Sequence, residues 1–182
     1  MSLLSLPNVQ LFTRLPRAAT VALAIAAGGA ATILGAYFFQ YVVGFIPCPL
    51  CLDQRVPYYV VIPLAVVVAA TVMDGLRREV IIAGLVMLAL GMLVSAGLGV
   101  YHAGVEWKWW MGPTECSGPI RSLGSAADLL REIQKANLVR CDDAAWRFLG
   151  ISLAGYNVLI STALAAIAIW GVVSEVRDAR AA

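Results

Sequence analysis

The sequence predicts an all-α integral membrane protein: a four-transmembrane-helix bundle whose helices are joined on one side by a short and a long loop. Three observations carry this. The chain is 61% hydrophobic and 13% charged, with a mean hydropathy of +0.84, so it lacks the polar residues that a water-facing surface requires. Four long apolar runs approach or exceed the ~20 residues with which a helix crosses the hydrocarbon core. The runs are continuously apolar and rich in Ala and Leu, without the apolar/polar alternation over ~10 residues of a membrane barrel.

The first helix is expected at about 18–45. Arg14 and Arg17 precede it, as the basic region of a signal peptide would, but no charge interrupts Ala18 to Leu52. That run is far longer than the 7–15 residues of a signal h-region, so a retained helix behind a short lead of residues 1–13 is expected. Pro47 ends it. The second helix is expected at about 56–73, with Pro57 tolerated in its first turn and Pro63 kinking its interior. The third is expected at about 80–101, where Gly91, Ser95 and Gly99 recur at helical spacing; Ala24, Gly28, Thr32 and Ala36 do the same in the first helix. Small residues so spaced let helices approach closely in lipid, which is a scaffold role.

A polar segment of about 102–148 follows. Within it Ser125 and Asp128 form a capping pattern, and Ala126, Leu129, Leu130 and Ile133 share one face, predicting a short amphipathic helix on the membrane surface. Trp107, Trp109, Trp110 and Trp146 flank the segment as an interfacial aromatic belt. The fourth helix is expected at about 149–173, and no internal repeat divides residues 1–182, which form a single membrane domain.

Charge placement orients the bundle. Arg14 and Arg17, Arg77 and Arg78, and Arg177 and Arg180 all fall on one side, which is therefore cytoplasmic together with both termini. The long loop balances Lys108, Arg121, Arg131, Lys135, Arg140 and Arg147 against Glu106, Glu115, Asp128, Glu132, Asp142 and Asp143, so no strong charge retains it. The net charge of +2 follows from this topology, and no basic patch points to nucleic acid.

All four cysteines then lie outside, where disulfides persist. Cys48 and Cys51 form a Cys-Pro-Leu-Cys pair where the first helix ends, and Cys116 and Cys141 lie in the long loop. A close pair beside a cation or a helix N-terminus has the thiolate character that attacks disulfides, and Arg55, four residues after Cys51, is the cation in position. An Arg at a helix end also snorkels to headgroups. Two structural disulfides are an alternative reading of the four cysteines. No metal site is expected: Cys116 and Cys141 are separated by 24 residues, a poor match to the second half of a zinc site.

The run Pro47-Cys48-Pro49-Leu50-Cys51-Leu52-Asp53-Gln54-Arg55 resembles the PCxLCxxQR or PCxLCxxER signature of the DsbB family, bacterial inner-membrane disulfide-generating quinone reductases. The second cysteine pair and the return Cys141-Asp142-Asp143-Ala144-Ala145-Trp146-Arg147-Phe148-Leu149-Gly150 are similar to that family as well. The resemblance implies a protein-dithiol:quinone oxidoreductase of the inner membrane, with the cysteines in one short and one long periplasmic loop. It implies that Cys48 and Cys51 reduce quinone, with Cys51 contacting the ring and Arg55 binding it; ubiquinone is the first choice of quinone and menaquinone the second. It implies that Cys116 and Cys141 exchange with a DsbA-type thioredoxin-fold periplasmic protein, Cys116 forming the mixed disulfide and Cys141 bridging to Cys48. His102, the lone histidine, falls just after the third helix, near where the family has a histidine beside the quinone. Gln54 stands where some members have Glu, so a carboxylate there is dispensable. Two other classes share parts of the pattern: a four-helix scaffold stapled by outer-loop disulfides, and a client-specific or vitamin K epoxide reductase-like thiol oxidoreductase.

Overall fold

With no water in the bilayer to satisfy backbone N–H and C=O groups, a long apolar run closes its own hydrogen bonds as a helix. In the computed structural model, which describes residues 15–113 and 141–181, α1 spans Arg17–Tyr37 and continues as a π-helical turn over Phe38–Val42. A short α2 (Pro49–Asp53) leads into α3 (Val56–Met73), and α4 spans Arg78–Glu106. Beyond the long loop, β1 (Arg147–Phe148) and β2 (Ile151–Ser152) form a hairpin that runs into α5 (Leu153–Ala181). Among the described residues, Arg17–Val42, Pro49–Met73, Arg78–Glu106 and Leu153–Ala181 are long and apolar enough to cross a membrane. The chain is a helical, multi-pass membrane protein. The expected loop helix at 125–135 lies outside the described residues.

Large apolar side chains such as Leu34, Val60, Val67, Met87 and Val94 face outward, and Ile25, Ala65, Leu85, Leu88, Met92 and Ala168 fill the centre. Lipid is as apolar as this core, so helices gain by close fit rather than by leaving the solvent. Gly91 meets α3, where an added Cβ would stand 2.4 Å from Val61, and Gly99 meets α5, where it would stand 2.8 Å from Val158. The stripe expected from small residues therefore serves two neighbours. Ser95 between them accepts a hydrogen bond from the Ser161 hydroxyl at 2.9 Å.

Several boundaries differ from the sequence expectation, the fourth helix among them, since it runs on to Ala181 where an end near 173 is expected. The third helix does not stop at residue 101 but continues to Glu106, so His102 lies within it and is buried. The onset of polar residues predicts a loop there, whereas Cys48, Leu50 and Cys141 pack over this last turn. The fourth helix starts at Leu153, because Leu149 and Gly150, both at positive φ (49° and 81°), make a two-residue turn that pairs Arg147 with Ser152 and Phe148 with Ile151. No strand was expected here, since the apolar residues around that turn look like the start of a helix. Finally, α1 widens into the π turn and reverses at Gly44, whose φ of 84° lets the Phe45 N–H return to the Phe39 carbonyl at 3.0 Å.

The fit at Gly91 makes a test. Gly91→Ala is expected to overpack α3 against α4 at a cost of about 1–3 kcal/mol, lowering the thermal midpoint in detergent. Adding Val61→Ala should recover part of the loss; an unchanged midpoint in the single variant would refute this packing.

Candidate functional site

Cys48 is the N-cap of α2, held extended by flanking prolines, with Pro49 in the first helical position. The cap places its sulfur over the first turn, where it accepts the Cys51 N–H at 3.3 Å and donates its S–H to Cys51 Sγ at 2.9 Å. The CxxC spacing is thus a capping geometry that brings two sulfurs together. Their surroundings differ: Cys48 is 0% exposed, while Cys51 is half-buried. The hydrogen bond to Cys51, and then burial, hold the Cys48 thiol well above its ordinary pKa.

Cys141 is buried beside Cys48, sharing a small apolar cluster with Leu50 and Val105. His102 Nε2 lies 3.8 Å from Cys48 Sγ, and the Cys48, Cys141 and His102 donor atoms all fall within 4.8 Å of one another. The structure therefore brings together three of the four cysteines and the histidine. Cys116 lies outside the described residues.

Arg55 is 8% exposed and does not snorkel outward. It donates from Nη1 to Gln40 Oε1, in the π turn, at 2.6 Å, and its guanidinium lies over the Tyr37 ring at 5.5 Å from the centroid. Arg55 and Cys51 both line a cavity of about 430 Å³. His102, Glu106, Gln54 and Asn157 supply further polar edges. Much of the remaining lining is aromatic and aliphatic, including Phe39, Phe45, Trp146 and Phe148. Trp146 stacks on Phe148 at 5.9 Å and tilts against Phe39 at 5.0 Å.

Residues 18–171 match the family described as disulfide bond formation protein DsbB. The chain belongs to the DsbB family. It is 29% identical over 160 residues to disulfide bond formation protein B of Saccharophagus degradans, covering 87% of this chain and 95% of that one. Disulfide bond formation protein B 2 of Pseudomonas syringae pv. syringae is 30% identical over 148 residues, covering 80% of this chain and 83% of the relative. An uncharacterised protein of Rickettsia prowazekii is 28% identical over 131 residues, covering 71% and 73%. No solved structure matches. Membership of the DsbB family makes this a disulfide-forming oxidoreductase.

Several cavity residues of this DsbB family member escaped sequence reasoning. Glu106 stands among the loop acids in the sequence, yet it is buried at the end of α4, its Oε2 without a hydrogen-bond partner among the described residues and its Oε1 3.9 Å from His102 Nε2. Trp146 was assigned to an interfacial belt and instead lines the cavity. Gln40, Tyr58 and Asn157 line it too. A polar group inside an apolar run was the available signal, because such a group is costly in lipid unless it faces a partner or a cavity.

The unequal sulfurs make a prediction for the reduced protein in detergent. Iodoacetamide at neutral pH should modify Cys51 more than about tenfold faster than Cys48, the thiolate being the reactive form. Peptide mass spectrometry reads the order, and equal rates would contradict the asymmetry.

Proposed function

We propose that this protein reoxidises a DsbA-type thioredoxin-fold partner in the periplasm and passes the electrons through two cysteine pairs to a membrane quinone. The observation that carries the reading is the cavity: its lining joins a half-buried Cys51 to a buried guanidinium and to aromatic walls. Its volume of about 430 Å³ falls in the range of small-molecule sites. Glu106 Oε2 beside it, buried and without a hydrogen-bond partner among the described residues, is the kind of polar atom that a ligand completes. Cys51, Arg55 and His102 would hold the quinone head, with ubiquinone the first choice and menaquinone the second. When bound, a quinone supplies a lipid-soluble sink for two electrons. Such a sink is required because a DsbA-type disulfide is itself strongly oxidising, near −120 mV.

The protein's own groups have distinct parts in this scheme. Cys48 donates its S–H to Cys51, a hydrogen bond that favours negative charge on the sulfur facing the cavity. Arg55, fixed by Gln40 and Tyr37, presents a positive charge that needs no rearrangement as negative charge develops there. Cys141 stands close enough to Cys48 to relay electrons inward, and Cys116 would meet the partner. The sidedness has support as well. Arg17 pairs with Asp178 and Arg78 with Glu175, gathering basic helix ends at the end of the bundle opposite the Cys48 turn. In this reading that basic end and both termini are cytoplasmic, the cysteines are periplasmic, and the whole chain is one domain of the inner membrane.

The test is quinone reduction by the detergent-purified protein supplied with a reduced DsbA-type partner and either ubiquinone or menaquinone. Wild-type turnover and its loss in Cys51→Ser are expected. Cys116→Ser should block transfer from the partner, while Arg55→Met should raise the KM for quinone about tenfold or more, as for the loss of a charged hydrogen bond. An active Cys51→Ser protein, or a wild type inert with both quinones, would overturn the reading.

A further inference from the structure

Four side chains beneath the sulfurs, Tyr58, Asn157, Gln54 and His102, form a continuous hydrogen-bonded chain, and its direction is set by two backbone carbonyls. A carbonyl oxygen only accepts, so the group facing it must donate. Asn157 Nδ2 faces the Ser95 carbonyl at 3.3 Å, which fixes the Asn157 amide: Nδ2 donates to Gln54 Oε1 at 2.8 Å, and Oδ1 accepts from the Tyr58 hydroxyl at 2.8 Å. Gln54 is fixed twice over. Its Oε1 takes the Asn157 hydrogen bond, and its Nε2 faces the Leu50 carbonyl at 3.2 Å. Amide orientations are assigned from such networks, and here both ends agree. The remaining N–H of Gln54 Nε2 points to His102 Nδ1 at 2.6 Å, so Nδ1 must accept and carries no proton.

Two side chains lie near the other ring nitrogen. Cys48 Sγ lies 3.8 Å from Nε2, and Glu106 Oε1 lies 3.9 Å away. The Cys141 backbone also interacts with the ring. Because Cys48 spends its S–H on Cys51, its sulfur has only lone pairs to offer His102.

We infer that Gln54 and Asn157 are positioning residues that hold His102 as the neutral imidazole with its proton on Nε2, aimed at Cys48 and the Cys141 segment. An imidazolium is excluded by the same geometry, since a proton on Nδ1 would confront the Gln54 N–H. His102 is then a hydrogen-bond donor to the sulfur relay, and a soft cation spanning Cys48, Cys141 and His102 would lack the lone pair it needs on Nε2. The role in thiol exchange rests on the proposed function, although the tautomer does not. When a thiolate attacks Cys141 in a Cys48–Cys141 bond, its electron pair makes the new S–S bond. The pair of the broken bond stays on Cys48, where the Nε2–H meets the charge.

His102 is the single histidine of the chain, so a protein labelled with nitrogen-15 histidine gives one ring to assign. In the reduced wild type in detergent, the resonance of Nε2 should take the upfield position of a protonated ring nitrogen and that of Nδ1 the downfield position of a bare one. In Gln54→Glu at neutral pH, the carboxylate accepts where the amide donated, and the Nδ1 resonance should move upfield as it gains a proton. A wild-type ring protonated on Nδ1, singly or doubly, would overturn the inference, and so would a Gln54→Glu spectrum identical to wild type. The wild-type spectrum decides by itself if the variant does not fold. Quinone turnover, measured separately, tests the proposed function: an inert protein with the expected spectrum sinks that reading and leaves the tautomer standing.

Discussion

Within the bilayer no water competes for a polar side chain, so each amide or hydroxyl has to find its partner on another helix. The amide of Asn157 on α5 does this for three of the long helices: it receives the Tyr58 hydroxyl from α3, donates to Gln54 beyond α2, and donates to the Ser95 carbonyl of α4. Individual hydrogen bonds between membrane helices are worth only about 0.6–2 kcal/mol. Their direction matters more than their sum. An apolar face tolerates small rotations about the helix axis, but an amide hydrogen-bonded on both sides does not. The rotation of three helices, and hence the placement of the sulfurs above them, follows from this constraint.

The buried guanidinium follows the same logic at higher stakes. A charge in a low-dielectric setting is stable only with close polar and electrostatic compensation. Gln40 can reach Arg55 from the π turn at the end of α1, and Tyr37 one residue before that turn presents its ring. The widened turn is thus the local backbone feature that accompanies the burial of Arg55. The cavity then lies between this turn, the last turn of α4 and the hairpin that carries Trp146 and Phe148 toward α1.

Within the dithiol, two identical residues three positions apart become chemically unequal. The cap position buries Cys48 and loads it with hydrogen bonds, while Cys51 in the first turn keeps an opening to the cavity. The helix start brings the two sulfurs together, and the packing of Val105 and Cys141 from other segments buries only one of them.

The sequence by itself determined the membrane class, the four helices, the cysteine framework and the family signature. Those depend on the length of apolar runs, the spacing of charges and a contiguous motif, all properties of neighbours along the chain. It did not show that His102 lies inside α4, that Glu106 is buried, or that Arg55 turns inward to Gln40. Nor did it show that Tyr58, Ser95, Asn157 and Ser161 belong to one network, since Tyr58 and Asn157 are 99 positions apart. Helix ends were misplaced where a change of polarity stood in for the end of hydrogen bonding: the last turn of α4 is polar and buried, and the turn at Leu149 and Gly150 is apolar and not helical. Only the tertiary structure decided these points, because the partner that makes a buried polar group stable comes from another helix, and the pattern along a single helix does not contain it.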